Sequence, residues 1–166
     1  MLKLQPFEYE IFFLSYKEPN ADENYRDLID KLSDSRFSSV PPIKQVSGIK
    51  GIDNAHKRCA ELANTKYFLT IDADCKINPD FFNAVMPRIE RSETSVLCFP
   101  AQNMINGLWY GNGSLKVWPK EVVLNSREMG IDYCCSLPRK LGHHINKCYA
   151  FTFPNSTAEQ AWRAGF

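Results

Sequence analysis

The run Lys66-Tyr67-Phe68-Leu69-Thr70-Ile71 is almost continuously apolar and stops abruptly at Asp72. A strand with one wet face alternates apolar and polar residues, whereas a run like this one is covered on both faces. A sheet buried on both sides needs flanking helices, and the preceding sequence supplies them. Glu8 to Ser15 reads as a first buried strand. Asn20 then caps a helix whose apolar stripe is Tyr25, Leu28, Ile29 and Leu32, at the spacing of one helical face. Val40 to Val46 is a weaker strand, with Pro41-Pro42 marking an edge or a strand start. Gly48 and Gly51 frame a turn into a second helix, with Ile52, Ala55, Cys59 and Leu62 expected on its inner face. After Asp72, Asn78-Pro79 opens a third expected helix, with the stripe Phe81, Phe82, Val85, Met86 and Ile89. Thr94 to Phe99 is a fourth strand. Strand and helix thus alternate three times before that strand, which predicts an α/β fold with a mainly parallel sheet flanked by helices.

Beyond Pro100 the pattern turns to loops, glycines and aromatics, with strands expected near Leu115–Trp118 and Tyr149–Phe153, so the C-terminal part is mixed. Ser156 to Glu159 has the form of a capping box, and its helix is expected to be cut short by the chain end. At 166 residues the whole reads as one domain, 1–166, whose pattern changes between residues 1–100 and 101–166. Twenty Lys+Arg balance nineteen Asp+Glu, so the basic stripe of a nucleic-acid binder is missing. No apolar run reaches the ~18–20 residues of a membrane span, and the N-terminus lacks a signal-peptide core, so a cytoplasmic protein is expected. The six cysteines lack a C-x-x-C pair, and reduced, buried thiols are the expectation.

Ligands of parallel α/β sheets bind beyond the carboxyl ends of the strands. Two such ends carry polar clusters: Ser15-Tyr16-Lys17-Glu18 after the first strand, and Asp72-Ala73-Asp74 after the third. A bare D-x-D arises by chance, and Asp72 could simply cap its turn while Asp74 is solvated. Placement directly after a buried strand points instead to chelation. Two carboxylates in an extended turn can face one hard divalent cation, and Mg²⁺ or Mn²⁺ there can bridge the phosphates of a nucleoside diphosphate.

The stretch GIKGIDNAHKRCAELANTKYFLTIDADCKINPDFF, with Glu8–Glu18, resembles the N-terminal half of a GT-A-fold, family-2-type glycosyltransferase. The features that match are a glycine-led helix, a strand ending in D-x-D and a following Pro-Asp-Phe segment. They fall on Gly51, Asn54, Ala55, Asp72, Asp74, Pro79, Asp80 and Phe81. The segment Asn103–Pro119 is similar to a Gly/aromatic motif of phage- and bacteria-encoded relatives.

The resemblance implies a transfer of sugar from a UDP- or GDP-linked donor to an acceptor hydroxyl, on a glycan, a protein, a lipid-linked sugar or a modified nucleic-acid base. Donor-binding residues are then expected at Ser15, Tyr16, Glu18, Lys50, Asn54, Asp72 and Lys116, and metal ligands at Asp72, Asp74 and His143. An inverting transfer also needs a carboxylate to take the acceptor proton. Asp132 stands where the resemblance would put it, although a turn carboxylate accounts for it equally well. His143-His144 could equally be a solvated loop pair, and Lys116 an exposed strand lysine. Trp109 and Tyr110, among Gly107, Gly111 and Gly113, could stack on a sugar or belong to a hairpin core.

Two other functions compete. Lys44-Gln45-Val46-Ser47 stands where the family carries an Asp pair, which keeps open a non-catalytic or truncated binding domain of the same fold. A haloacid-dehalogenase-like phosphohydrolase would use Asp72 as its nucleophile, but that family has Thr or Val where Cys75 stands.

Overall fold

A computed structural model describes residues 2–3, 9–83, 85–86, 96–111, 113–127, 142–144, 147–153, 158–159 and 162, with the backbone alone at 2–3, 85–86 and 142–144. The strands are β1 (Leu2–Lys3), β2 (Tyr9–Ser15), β3 (Ile43–Ser47), β4 (Tyr67–Asp72), β5 (Cys75–Ile77), β6 (Val85–Met86), β7 (Val96–Cys98), β8 (Ala101–Asn103), β9 (Trp109–Tyr110), β10 (Leu115–Pro119), β11 (Gly142–His144) and β12 (Ala150–Thr152). The α-helices are α1 (Ala21–Leu32), α2 (Ile52–Leu62) and α3 (Lys120–Leu124).

A six-stranded sheet in the order β11-β7-β10-β4-β2-β3 forms the frame. β2 runs parallel to both β3 and β4, and β11 parallel to β7. β10 is wedged antiparallel between β4 and β7, so the four early strands share one direction without being neighbours throughout. A second sheet, β5-β12-β8-β9, stands beside the first, and β1 pairs with β6. β3 is both an edge strand and preceded by Pro41-Pro42, as its weak apolar pattern implied.

The apolar runs do what their composition requires. Ile11, Phe12, Phe13 and Leu14 of β2 are all buried, and alternate residues serve opposite faces. Ile11 and Phe13 join Leu28 of α1, Leu69, Ile71 and Val117 in one cluster. Phe12 and Leu14 join Cys59 and Ala60 of α2, Phe68 and Trp118 in the other. Burying both faces of so short a run removes several large side chains from water, each worth about 1.5–3 kcal/mol.

Three local expectations are corrected. Asn20 does occupy the N-cap of α1, but its side chain makes no capping bond; the backbone carbonyl accepts from Asn24 N at 2.9 Å. The inner face of α2 is rotated from the expected one: Asp53, His56, Cys59 and Ala60 are buried, while Ile52 and Leu62 are exposed. The His56 ring is held by Nδ1 against Ile52 O at 2.8 Å and meets Trp118 of β10 edge-on at 4.7 Å, a partner supplied from much later in the chain. The third expected helix is a 3₁₀ turn, Pro79–Asn83, followed by β6. Phe81 and Phe82 are both buried, with Phe81 against Phe99 and Tyr149, and a tight turn can aim two consecutive side chains inward. Asp80 N donates to Asn78 Oδ1 at 3.0 Å, a side-chain bond that competes with helix start-up. Ile89 lies outside the described residues, as do Ser156 and Thr157 of the expected capping box.

Close backbone approach explains one glycine. Gly113 N donates to Phe99 O at 3.1 Å, and a Cβ at this position would sit 2.5 Å from that same oxygen. Only glycine lets the chain pass here on its way into β10.

Candidate active site

Because β2, β3 and β4 are parallel, their carboxyl ends open side by side. Register pairs Leu14 with Asp72 and Ser15 with Ser47. Two backbone bonds lace the ends together, Ala73 N to Leu14 O at 2.9 Å and Gly48 N to Ser15 O at 3.0 Å. Over this edge lies a cavity of about 340 Å³. Its wall comes from three segments: Ser15, Tyr16 and Glu18; Gly51, Ile52, Ala55 and His56; and Asp72, Ala73 and Asp74, with Leu14, Val46 and Ile49 as its apolar floor. The two polar strand ends singled out in the sequence therefore meet in one place.

Each segment is held by a local cause. After β2 the chain turns through Lys17, a non-glycine residue at φ 65°, and Glu18 folds back so that its carboxylate accepts from Tyr16 N. A lysine in the left-handed region is uncommon and costs roughly 1–2 kcal/mol, and such strain collects at functional turns. Gly51 enters α2 at φ 91°, a conformation natural to glycine. The Asp72–Asp74 turn is pinned from behind by Asn24 of α1, buried, whose Nδ2 donates to Ala73 O at 2.8 Å. Asp74 O accepts from Phe153 N at 3.0 Å, and Asp74 Oδ1 accepts from the Cys75 thiol at 3.3 Å.

The electrostatics follow from this crowding. Burial pushes the Asp74 carboxyl above the usual aspartate range, the Cys75 bond pulls it down, the Glu18 charge raises it again and Lys116 lowers it. Carboxylates held together at the cost of desolvation and repulsion are what a bound cation relieves. Among the described residues, no three His, Cys, Asp or Glu side chains gather as a closed metal cage. An open carboxylate pair suits Mg²⁺ or Mn²⁺, which fill the remaining positions with phosphate oxygens and water. Asp72 and Asp74 are the residues that could hold such an ion.

Of the residues expected at the site, Ser15, Tyr16, Glu18, Asp72 and Asp74 line the cavity. Lys50 and Asn54 do not; Asn54 Nδ2 instead donates to Lys50 O at 3.1 Å, closing the first turn of α2. Lys116, on β10, lies outside the wall, and its charge is felt at Asp74. His143 falls in β11, beside β7, with its side chain outside the description, and Asp132 lies outside the described residues. Sequence reasoning missed Asn24 and His56. Asn24 was accessible to it, since it stands four residues before Leu28 on the buried face. His56 was not, because its ring partner Trp118 stands far along the chain.

The sequence profile of Glycosyl transferase family 2 matches residues 20–138. No curated protein sequence matches the chain. Solved structures of similar fold include HddC from Yersinia pseudotuberculosis, at 11% identity and TM-score 0.54 over 94% of this chain and 97% of that one. HddC has also been solved complexed with GMP-PN, at 10% identity and TM-score 0.53 over 94% of this chain and 97% of that one. Mannosyl-3-phosphoglycerate synthase from Rubrobacter xylanophilus is similar at 10% identity and TM-score 0.60, over 97% of this chain and 72% of that one. At such identities the likeness speaks to the fold alone.

Proposed function

The chain belongs to glycosyl transferase family 2, and from that premise we propose that it moves a sugar from a nucleoside-diphosphate donor to an acceptor hydroxyl with the help of Mn²⁺ or Mg²⁺. The observation that carries this reading is the convergence of Ser15–Glu18 and Asp72–Asp74 on one cavity at the carboxyl edge of the parallel strands. Membership of the family sets aside the phosphohydrolase alternative.

In this reading the apolar floor of Leu14, Val46 and Ile49 takes the nucleoside, and Ser15 and Tyr16 border it. Asp72 and Asp74 would hold the divalent cation, which supplies positive charge to the diphosphate as it departs. Glu18 and Lys116 set the local field, with the lysine balancing the carboxylates. Lys50 and Asn54 are proposed to meet the donor from outside the cavity wall, and His143 is proposed as a further ligand to the ion. Asp132 is proposed as the general base that takes the acceptor proton during in-line attack. Residues 1–100 serve the donor and 101–166 the acceptor, which is a glycan, a protein, a lipid-linked sugar or a modified base. We assign the reaction to the cytoplasm; among the described residues Cys59, Cys75 and Cys148 carry free thiols, which suits a reducing compartment. Among the described residues no helix is long and apolar enough to cross a membrane.

Thermal unfolding with Mn²⁺ and UDP, GDP or their sugars tests this directly. Ligand at about 100 times Kd adds about 2.7 kcal/mol, which for a chain of this size shifts Tm by about 5–10 °C. The shift should vanish in EDTA. No shift with any nucleotide would leave the non-catalytic reading in its place. A second expectation concerns Asp132→Asn, which should lower turnover by at least ~10² while sparing nucleotide affinity, because only the proton acceptor is lost. Near-parental turnover would remove Asp132 from the reaction.

A further inference from the structure

Behind the cavity, a file of polar side chains runs from its carboxylate wall to an exposed hairpin. Asp74 Oδ1 accepts from the Cys75 thiol at 3.3 Å. Cys75 Sγ lies 3.1 Å from Thr152 Oγ1, and Thr152 Oγ1 meets the Tyr110 hydroxyl. Each of these three donors carries one proton, and an ionised carboxylate only accepts. The arrangement that satisfies every link therefore runs one way: Tyr110 O–H to Thr152, Thr152 O–H to the Cys75 sulfur, Cys75 S–H to Asp74. Cys75 and Thr152 are 1% and 6% exposed, so water does not compete for the inner links. Burial pushes the Tyr110 phenol up to about 12, so the outer donor keeps its proton across the neutral range.

The backbone holds the file in line. Register sets Thr152 of β12 opposite Cys75 of β5, and Phe153 N closes on Asp74 O at 3.0 Å. At the outer end Tyr110 belongs to β9, which pairs with β8 across a turn bearing the exposed Met104, Ile105 and Leu108. Met104 N donates to Thr152 O at 3.1 Å, so the turn is tied to the same strand as the file.

We propose that Cys75, Thr152 and Tyr110 are positioning residues that fix the Asp74 carboxylate for a divalent cation and couple cation affinity to the placement of the 104–110 hairpin. The inference rests on the reading of Asp74 as a metal ligand. Outer partners of a metal-binding carboxylate set its orientation, and losing one typically weakens binding 10–100-fold. The test titrates Mn²⁺ into the full chain with UDP or GDP present, following the free ion by electron paramagnetic resonance, with Tm measured alongside. Tyr110→Phe and Thr152→Val should each weaken Mn²⁺ binding about 10-fold. Thr152→Ser, which keeps the hydroxyl, should stay near the parent. The double variant Tyr110→Phe/Thr152→Val should be little worse than Thr152→Val alone, since both interrupt one file. Should Thr152→Val fail to fold, Tyr110→Phe decides the matter, because its ring is partly exposed and only the hydroxyl is lost. Variants that lower Tm yet bind Mn²⁺ like the parent would overturn the inference and leave the metal reading intact. A parent chain that binds no Mn²⁺ with either nucleotide would overturn the metal reading and this inference with it.

Discussion

Asp74→Asn is expected to abolish metal-dependent nucleotide binding while making the folded chain more resistant to heat near neutral pH. The two effects have one origin. Burial, with the charge of Glu18 adding to it, holds the Asp74 carboxyl above the usual aspartate range. The native state then binds more protons than the unfolded state between the ordinary aspartate pKa and the raised one. Stability therefore falls as pH rises through that window and stays reduced above it. Asparagine removes the buried charge and still offers Oδ1 to the Cys75 thiol, so the turn keeps its bond. The gain in Tm over the parent should be present at pH 7 and shrink toward zero below the ordinary aspartate range. Mn²⁺-dependent nucleotide binding, by contrast, should be lost by at least ~10², as removal of a charged ligand from an open site requires. An asparagine variant that binds metal and nucleotide like the parent would remove Asp74 from the site. One that melts lower at pH 7 would show the carboxylate to be structural.

Trp118→Ala carries the largest expected cost to the fold. The indole is fully buried, its Nε1 donates to Thr70 Oγ1 at 2.7 Å, and its ring supports His56 at 4.7 Å. Truncation leaves a cavity and an unpaired hydroxyl, about 3–5 kcal/mol in all, or a Tm lower by about 6–20 °C. Trp118→Phe separates the contributions. It retains most of the burial but orphans the Thr70 hydroxyl, a loss of about 1–3 kcal/mol. Adding Thr70→Val to Trp118→Phe should recover much of that loss, because both polar partners are then gone. Failure of the second substitution to recover stability would show that indole packing, and not the hydrogen bond, dominates. Since His56 lines the cavity, Trp118→Ala should also weaken nucleotide binding in the fraction that remains folded.

The parts of the fold legible in the sequence are those decided by local pattern. Strands β2 and β4 show as apolar runs and the candidate site as polar residues directly after two such runs; the stripe of α1 is legible in Leu28, which is buried, but Ile29, expected on the same face, is exposed. What was not legible depends on partners far along the chain. Nothing between residues 66 and 72 announces that β10 will take the flank of β4. Trp118, which packs against His56 on the inner face of α2, comes from β10, so the pattern of α2 alone does not show that contact. The Phe81-Phe82 pair has a helical spacing with Val85 and Met86, yet Phe81 packs against Phe99 and Tyr149 and Phe82 against Phe81, contacts that the local period does not show. The file behind Asp74 was equally hidden, because Cys75 and Thr152 meet only through pairing of β5 with β12.

The wedged position of β10 also fixes the order in which this chain can be completed. During synthesis β2, β3 and β4 emerge first and can associate, but one side of β4 stays open until residue 119 has been made. Until then the backbone groups along Tyr67–Ile71 have no strand on that flank, and Phe68, Leu69 and Ile71 are only partly covered. An unpaired apolar edge of that kind is a template for association between nascent chains. β7 cannot close it, because β7 reaches β4 only through β10. The sheet that carries the carboxylate edge therefore draws one of its inner strands from residues 115–119, so the flank of β4 beneath Asp72 is closed only after everything through β7 has already been made.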